Sequence, residues 1–270
     1  MKLTVLGCWA PYPRAGGACS GYLVQTAGKN ILLECGNGVF SNLQKHIDFR
    51  SLDVVLISHF HPDHYMDLFC LRHAVSGARR TGGDLQPVSM YLPGEPEKKF
   101  REIQRFTDAF KVKPVEDLAL SSQGKMDVFQ VTVGDIRISF SENCHPLKTY
   151  SITIESDEGK LFYSADTMWY DQLPLVAQGA DLILCEASVI EADREYTSVG
   201  HLTARQAGEL ALQAGVEQLA ITHFWPEYSL GTLVAEAEQG FGGSVTPAEE
   251  GLEIKVEPFA LLHAPAVRKV

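Results

Sequence analysis

Five short apolar segments of this 270-residue chain each lead into a histidine, an aspartate or a glutamate, and this repetition constrains the fold more than any other feature. The first segment, residues 53–58, is followed directly by a run rich in histidine, and the others end at His145, Asp166, Glu186 and His223. Metal-ligating side chains at the ends of several buried strands are best explained if those strand ends meet. Open α/β sheets place their sites at the carboxyl ends of strands. The sequence therefore predicts an α/β fold in which separate strand ends converge on one site.

Segments rich in Val, Ile and Leu alternate with helical patterns along the whole chain, and two of the predicted helices are Asp63–Val75 and Pro96–Phe110. Near the N-terminus the strand candidates are joined by glycine-containing turns such as Ala27-Gly28-Lys29, which is typical of antiparallel pairs. Thr203, followed by Gln206, predicts a capping box at the start of a helix. Because there is no internal repeat and no low-complexity linker, we expect one domain over residues 1–270 that contains two sheets.

Composition limits the class of protein. Hydrophobic residues make up 45% of the chain, and no apolar run approaches the length of about 18 residues that a membrane span needs. The net charge of −11 argues against general electrostatic binding of nucleic acid. None of the six cysteines forms a Cys-x-x-Cys pair, and residues 1–13 are interpreted as a first strand rather than a secretion signal. We therefore expect a cytoplasmic protein with reduced, mostly buried thiols.

The stretch from Arg72 to Lys113 departs from this acidic balance, because it holds nine Lys and Arg against five Asp and Glu. One interpretation is a solvated helical face. The other is a basic rim beside an anionic substrate. The sequence leaves both open.

The run after residue 58 carries the strongest metal signal. Residues two apart in an extended segment point the same way, so His59 and His61 can share one metal ion. Pro62 can begin a helix, whose first turn would project Asp63 and His64 toward a second position nearby. The alternative is a histidine-rich surface loop. The spacing favours the metal site.

These residues resemble the metallo-β-lactamase superfamily and, within it, the branch that contains ribonuclease Z and related phosphodiesterases. The resemblance covers almost the whole chain and implies an α/β fold, a four-layer αββα sandwich of two mixed β-sheets flanked by helices. The motifs that carry it are Leu6-Gly7, Glu34-Cys-Gly36-Asn-Gly38, His59-x-His61-x-Asp63-His64, His145, Ser-Ala-Asp166-Thr, Cys-Glu186-Ala-Ser, Gly-His201-Leu-Thr and Thr-His223-Phe.

The resemblance also implies two divalent metal ions. One would be held by His59, His61 and His145. The other would be held by Asp63, His64 and His223, with Asp166 bridging the two. Zinc suits such a histidine-rich set, and manganese or iron is also compatible with it.

Two positions depart from the family pattern, which usually has Asp where Glu34 stands and Gly where Ala165 stands. We interpret both as residues that support or pack beside the site. Ribonuclease Z also carries a long arm that grips transfer RNA, commonly inserted between the positions that match His145 and Asp166. Only twenty residues separate these positions here, so we expect no such arm and no transfer-RNA processing.

The implied mechanism uses a metal-bridging hydroxide as nucleophile. Asp63 is expected to orient that water and accept its proton. His201, oriented by Glu186, is the candidate proton donor to the leaving oxygen. The alternatives are a helix-capping or buried histidine and a surface carboxylate at a strand end. Cys144 and Cys185 are expected to face away from the site and pack.

The leading hypothesis for function is a metal-dependent phosphodiesterase that acts on a small or terminal phosphodiester. The alternative is a hydrolase of carboxylic esters, lactones or thioesters, which needs the same metals without His201. A third hypothesis is a non-catalytic metal-binding protein, although structural zinc sites usually close a single tetrahedron. The expected partners are a small anionic substrate or a nucleic-acid end and no membrane, with a homodimer as a family-level expectation.

Overall fold

Two mixed β-sheets lie face to face in the computed structural model, which describes residues 1–82, 85–123 and 126–258. The strands are β1 (Lys2–Gly7), β2 (Gly21–Thr26), β3 (Lys29–Leu33), β4 (Val54–Leu56), β5 (Val88–Leu92), β6 (Phe110–Pro114), β7 (Ala119–Gln123), β8 (Met126–Val133), β9 (Ile136–Glu142), β10 (Tyr150–Ser156), β11 (Gly159–Tyr163), β12 (Leu182–Glu186), β13 (Gln218–Thr222), β14 (Thr246–Pro247) and β15 (Glu253–Lys255). The α-helices are α1 (Val39–Leu43), α2 (Pro62–Tyr65), α3 (Leu68–Arg80), α4 (Glu97–Gln104), α5 (Leu173–Ala177), α6 (Ala204–Ala214) and α7 (Leu230–Phe241).

The first sheet has the strand order β15-β1-β2-β3-β4-β5-β6. Its strands from β15 to β3 pair antiparallel, and those from β3 to β6 pair parallel. The turn between β2 and β3 places Ala27 and Gly28 at positive φ, as a two-residue hairpin turn requires. The predicted glycine-containing turn is therefore an antiparallel hairpin.

The second sheet has the order β14-β13-β12-β11-β10-β9-β8-β7. Strands β7 to β11 form an antiparallel meander, and β11 to β14 pair parallel. Helix α6 packs against β12 and β13, and it begins at the predicted capping box between Thr203 and Gln206. Every residue of β12 is buried, because one face meets the first sheet and the other meets helices.

The main core lies between the two sheets, and a second core separates the first sheet from its helices. Val54 and Leu56 of β4 belong to the core between the sheets, whereas Val55 packs with the helices on the other face. This alternation follows from the two-residue period of a strand. Tyr22 and Tyr163 span the two sheets with ring centroids 5.4 Å apart. The predicted four-layer αββα sandwich is confirmed.

Some predicted boundaries are wrong. The helix expected over residues 63–75 is divided into α2 and α3, because Asp67 between them accepts the Phe40 amide and donates its own amide to the Cys35 carbonyl. The helix expected over 96–110 ends at Gln104, and strand β6 follows it. Within the described part of the chain, no helix is both long and apolar enough to cross a membrane.

Candidate metal centre

The ends of four strands deliver the predicted ligands to one edge of the sandwich. His59 and His61 follow β4 in extended backbone, and Pro62 opens helix α2, as predicted. Asp63 and His64 lie in that helix. The remaining three follow strands β9, β11 and β13; they are His145, Asp166 and His223. Strands β11 and β13 belong to the parallel part of the second sheet, so their carboxyl ends share one edge.

Three histidines form the first ligand group. His61 Nδ1 lies 2.9 Å from His59 Nε2 and 3.2 Å from His145 Nε2. Asp166 Oδ2 lies 3.5 Å from His59 Nε2. The structure therefore brings together the residues that the sequence assigned to one ion.

The second group is equally tight. His64 Nε2 and His223 Nε2 are 3.1 Å apart, and Asp63 Oδ2 is 3.5 Å from each of them. Asp166 Oδ1 lies 3.1 Å from His223 Nε2 and 3.4 Å from His64 Nε2. The two carboxylate oxygens of Asp166 thus face different groups, which is the arrangement of a bridging ligand.

The donor set fits divalent metal ions. Two ligand atoms of a tetrahedral zinc, each about 2.0–2.1 Å from the ion, are about 3.3–3.4 Å apart. The donor atoms of each group lie within 4.8 Å of one another. Asp166 Oδ1 is buried, and although His64 Nε2 and His223 Nε2 lie close to it, it accepts no hydrogen bond from any described residue. A buried carboxylate oxygen in that state is costly unless a cation satisfies it. His201 lies at the border of this set, grouped with Asp166 and His223 within the same distance.

In four of the five ligand histidines, the ring nitrogen that points away from the metal group faces a polar atom. His59 Nδ1 is 2.9 Å from Ser58 Oγ, and His145 Nδ1 is 2.9 Å from the Gly200 carbonyl oxygen. Such partners fix the tautomer and the orientation of a metal-ligating imidazole. A third such hydrogen bond joins His223 Nδ1 and Ser188 Oγ at 2.7 Å, whereas His64 Nδ1 faces Glu34 Oε1 at 3.5 Å without forming a hydrogen bond.

Burial and charge set the protonation of the metal-free site. Burial lowers the pKa of His59, His61 and His145, which keeps these rings in the neutral form that binds metal. Burial also opposes the charged form of His64, but the surrounding carboxylates outweigh it and raise the His64 pKa. The carboxylates around His64 therefore stabilise positive charge in the second ligand group.

The two aspartates respond to the same charges. Burial favours the neutral form of Asp166, but His223, His64 and His59 outweigh it and hold the pKa of Asp166 well below its usual range. The pKa of Asp63 is lowered as well, by His64 and His223 against the effect of burial. Both carboxylates are thus ionised and available as ligands.

Strained backbone marks the site. Glu34, Ala165 and His223 all have positive φ, at 61°, 49° and 62°. Glycine adopts this region at little cost, which accounts for the glycine that the family pattern has at position 165. The carboxylate of Glu34 accepts the Ser58 amide at 3.2 Å and faces His64, so this position supports the ligands.

His201 and Glu186 form a pair at the rim of the metal groups. His201 Nδ1 lies 3.1 Å from Glu186 Oε2, and the Thr167 amide donates to Glu186 Oε1 at 2.7 Å. Burial works against the charged imidazole, but Glu186 and the nearby aspartates outweigh it and raise the pKa of His201 to about 9. The imidazole therefore carries a proton at neutral pH.

Ser188 also belongs to the site, although no role was predicted for it from the sequence. Its hydroxyl lies 2.5 Å from Glu186 Oε2 and 2.7 Å from His223 Nδ1. A His223 ring that binds metal through Nε2 donates its Nδ1 proton to Ser188, and Ser188 donates to Glu186. Ser188 thus connects the second ligand group to the His201 pair. Its position two residues after Glu186 in extended chain is the signal that could have indicated it.

Two glycines allow the chain to approach the ligands. A Cβ at Gly36 would lie 2.0 Å from the Asp63 carbonyl oxygen. A Cβ at Gly200, where φ is 117°, would lie 2.5 Å from His145 Nδ1. These positions explain why the chain has glycine next to both ligand groups.

A cavity of about 850 Å³ opens onto the two groups, and His61, Asp63, Asp166, His201 and His223 form its floor. None of the described residues between 72 and 113 lines this cavity, so the structure gives no support to a basic rim there. Cys185 is buried as expected.

Two further details concern the segment after β9. Cys144 is exposed, so the expectation that it packs is wrong; the chain has already left β9 and turns at this residue. The residues between His145 and Asp166 are all described and form the hairpin of β10 and β11, whose paired residues Ser156 and Gly159 flank a tight turn. No arm projects from this segment.

Comparison with known proteins identifies relatives of the whole chain. Residues 29–224 match the family model described as the beta-lactamase superfamily domain. The probable metallo-hydrolase YhfI of Bacillus subtilis (strain 168) is 30% identical over 252 residues, which cover 93% of this chain and 98% of YhfI. The crystal structure of YhfI superposes with a TM-score of 0.84 at 29% identity and covers 94% of this chain and 98% of that one.

Two further relatives are more distant. A ribonuclease Z of Brevibacillus brevis is 26% identical in an alignment that covers 87% of this chain and 90% of that protein. The crystal structure of a diphosphatase from the PhnP family has a TM-score of 0.68 at 18% identity, covering 95% of this chain and 98% of that one. At this identity the diphosphatase shows a shared fold alone.

Proposed function

The chain belongs to the beta-lactamase superfamily and is a metallo-hydrolase by homology; from this premise we propose that it hydrolyses small or terminal phosphodiesters with two divalent ions, zinc being the expected metal. The observation that carries the proposal is the pair of His201 and Glu186 beside the ligand groups. A hydrolase of esters, lactones or thioesters has less need of a proton donor at this place, because the oxyanion of the tetrahedral intermediate at carbon helps to expel the alkoxide or thiolate, whereas a phosphodiester must release a poor alkoxide from phosphorus.

The residues of the two groups would hold the ions. His59, His61 and His145 form one set, and Asp63, His64 and His223 form the other, with Asp166 between them. Metal ions bound there would make water nucleophilic at neutral pH and stabilise the charge on the phosphoryl oxygens. The ionised Asp63, which lines the cavity, is placed to orient an attacking water and to accept its proton.

His201 would complete the reaction. When the bond between phosphorus and the leaving oxygen breaks, that oxygen gains negative charge and needs a proton. His201 lines the cavity, and Glu186 raises its pKa by stabilising the imidazolium, which favours the protonated form that a general acid needs. The Thr167 amide and the Ser188 hydroxyl hold Glu186 in position for this task. His201 is therefore the proposed general acid and Glu186 its positioning partner.

The shape of the chain argues against transfer RNA as the substrate. The segment in which ribonuclease Z commonly carries its arm is a tight hairpin here. The net charge of −11 adds repulsion toward a long polyanion. A small diester or an exposed end of a longer one meets neither obstacle.

The test compares substrate classes. Purified protein loaded with zinc or manganese is assayed with bis(4-nitrophenyl) phosphate, a simple lactone and a thioester, before and after His201→Ala. We expect the highest kcat/KM with the phosphodiester. Dominant lactone or thioester turnover that His201→Ala leaves unchanged would overturn the assignment, and no turnover of any class with two metals bound would favour a binding protein. A screen of cyclic nucleotides, cyclic sugar phosphates and RNA 3′ ends would then narrow the natural substrate.

A further inference from the structure

The mouth of the cavity concentrates exposed apolar side chains. Tyr196, Val199 and Trp225 are 55%, 57% and 42% exposed, and all three line the cavity. Tyr12, 42% exposed, packs edge-on against Trp225 with ring centroids 6.2 Å apart. Large apolar groups left in water at one place mark a binding surface. The metal groups occupy the floor, so this upper wall is free to contact the rest of a substrate.

One side of the wall is held rigidly. Arg14 donates from Nε and Nη2 to the Pro226 carbonyl oxygen at 2.9 and 2.6 Å, and from Nη2 to that of Tyr228 at 2.9 Å. Tyr12 donates to Glu227 Oε1 at 2.8 Å. The segment that carries Trp225 is thus fixed before any ligand arrives. A preformed wall loses little conformational entropy on binding.

The opposite side is joined to this one. Tyr228 donates its hydroxyl to Asp193 Oδ2 at 2.7 Å, and both residues line the cavity. Asp193 lies in the 3-10 segment Glu191–Val199, which also carries Tyr196. The two sides are therefore linked by a hydrogen bond, and we define their aromatic side chains, Tyr196, Trp225 and Tyr228, as the aromatic wall.

Charge limits what this wall can accept. Among the described residues that line the cavity there is no lysine or arginine, and Asp193 adds a negative charge beside the wall. The guanidinium of Arg14 bonds to the Pro226 and Tyr228 carbonyl oxygens and does not line the cavity, so a second anionic group inside the cavity would meet no lysine or arginine. An uncharged ring would replace water on the aromatic faces and gain stacking contacts.

We propose that the aromatic wall is a specificity subsite for one uncharged aromatic ring of the substrate, so that the preferred substrate is a monoanionic phosphodiester bearing such a ring. This inference rests on the proposed function for the placement of the phosphate on the floor. The ring stacks on Trp225 or Tyr196 while the single negative charge faces the ligand groups. Polyanions bind less well.

The test measures Kd by calorimetry for zinc-loaded protein with dimethyl, dicyclohexyl and diphenyl phosphate, which share one charge and differ in their substituents. Diphenyl phosphate is expected to bind about tenfold more tightly than dimethyl phosphate and about threefold more tightly than dicyclohexyl phosphate. Bis(4-carboxyphenyl) phosphate, with its additional charges, should bind more weakly than diphenyl phosphate.

Variants assign the preference to the wall. Trp225→Ala and Tyr196→Ala should each reduce the ratio of diphenyl to dimethyl phosphate affinity to about threefold or less, and Trp225→Phe should retain most of it. Leu212→Ala is the matched control, since Leu212 is 59% exposed and does not line the cavity. Zinc content is measured in every variant. If Trp225→Ala loses metal because it lies close to His223, Tyr196→Ala decides the result.

The outcomes separate this inference from the proposed function. Equal Kd values for dimethyl and diphenyl phosphate, an unchanged ratio in the alanine variants, or tightest binding of the carboxylated diester would overturn the subsite. Released phenol and 4-nitrophenol report turnover independently. An aromatic preference without turnover of any phosphodiester would support the subsite and contradict the phosphodiesterase.

Discussion

His201 Nδ1 lies 3.1 Å from Glu186 Oε2, and the same nitrogen lies 4.0 Å from Asp166 Oδ2. The His201 imidazole is thus hydrogen-bonded to the buried carboxylate of Glu186 and lies beside Asp166, which faces both ligand groups. This relationship gives His201 both a stabilised positive charge and a position in the cavity floor. The consequences for leaving groups, pH and neighbouring residues can each be measured.

The leaving group should determine how much His201 matters. His201→Ala is expected to lower kcat by about 10²–10⁴-fold for a diester with an alkyl leaving group, because general acid catalysis typically contributes this much. For a 4-nitrophenyl leaving group, which departs without a proton, the loss should be small. Steady-state kinetics on both substrates give the comparison. Equal losses on the two would indicate that His201 has a structural role.

The decrease of kcat at alkaline pH should also reflect His201. The His201 pKa is raised to about 9, so the imidazole is protonated at neutral pH and loses its proton as the pH rises through that value. Bound cations lower the pKa of a nearby imidazolium, so kcat for the alkyl substrate should fall with a midpoint at or below about pH 9. In His201→Ala this alkaline limb should be absent; an unchanged limb would assign the titration to another group.

Ser188 should act through its two partners. Ser188→Ala leaves His223 Nδ1 and Glu186 Oε2 without their shared hydroxyl, and we expect metal affinity or kcat to fall by about 10–100-fold. Ser188→Thr keeps the hydroxyl and should retain most of the activity. Metal titration and kinetics of both variants provide the measurement. If alanine and threonine behave alike, the hydroxyl has no positioning role.

The second ligand group should depend on His64 and on the carboxylate behind it. His64→Ala is expected to lower bound metal to about one ion or fewer per chain, because the remaining ligands no longer close that group. Glu34→Gln, which removes the charge facing His64, should weaken metal affinity by about 10–100-fold without changing the ligands themselves. Elemental analysis after dialysis measures both. Unchanged metal content in His64→Ala would show that the second group is misassigned.

Gly200 should tolerate no side chain. In Gly200→Ala the new Cβ would meet His145 Nδ1 at 2.5 Å and Pro146 Cδ at 2.7 Å, so His145 must move and activity should fall steeply. The matched control is Gly215→Ala, where φ is also positive but no atom lies within 4 Å of the new Cβ. Both variants carry a backbone cost of about 1–2 kcal/mol, seen as a lower free energy of unfolding. Only Gly200→Ala should also lose metal.

Much of the site could be predicted because its residues stand at strand ends. The two-residue period of an extended chain predicts that His59 and His61 point the same way. The preference of proline for the first helical turn predicts that a helix begins at Pro62. The sandwich follows from apolar strands such as β12, which is buried on both faces. These features depend on residues that are close together in the chain, so they can be predicted from the sequence alone.

What could not be predicted depends on distant segments. Ser188 has no unusual neighbours in sequence, and its role appears only when β13 brings His223 within 2.7 Å. The aromatic wall likewise joins residues at positions 196, 225 and 228, and no periodicity connects position 196 with the other two. Helices α2 and α3 are separate because Asp67, which lies between them, forms hydrogen bonds with Cys35 and Phe40, and these residues are distant in sequence. Tertiary contacts of this kind override local preference.

The most direct test of the central claim is anomalous diffraction at the zinc edge from crystals grown with excess zinc. The account predicts two peaks per chain, each about 2.0–2.1 Å from the donor atoms of its group: one at His59, His61 and His145, the other at Asp63, His64 and His223. Asp166 should contact both. A single peak, peaks away from these residues, or none at all would contradict a paired metal centre.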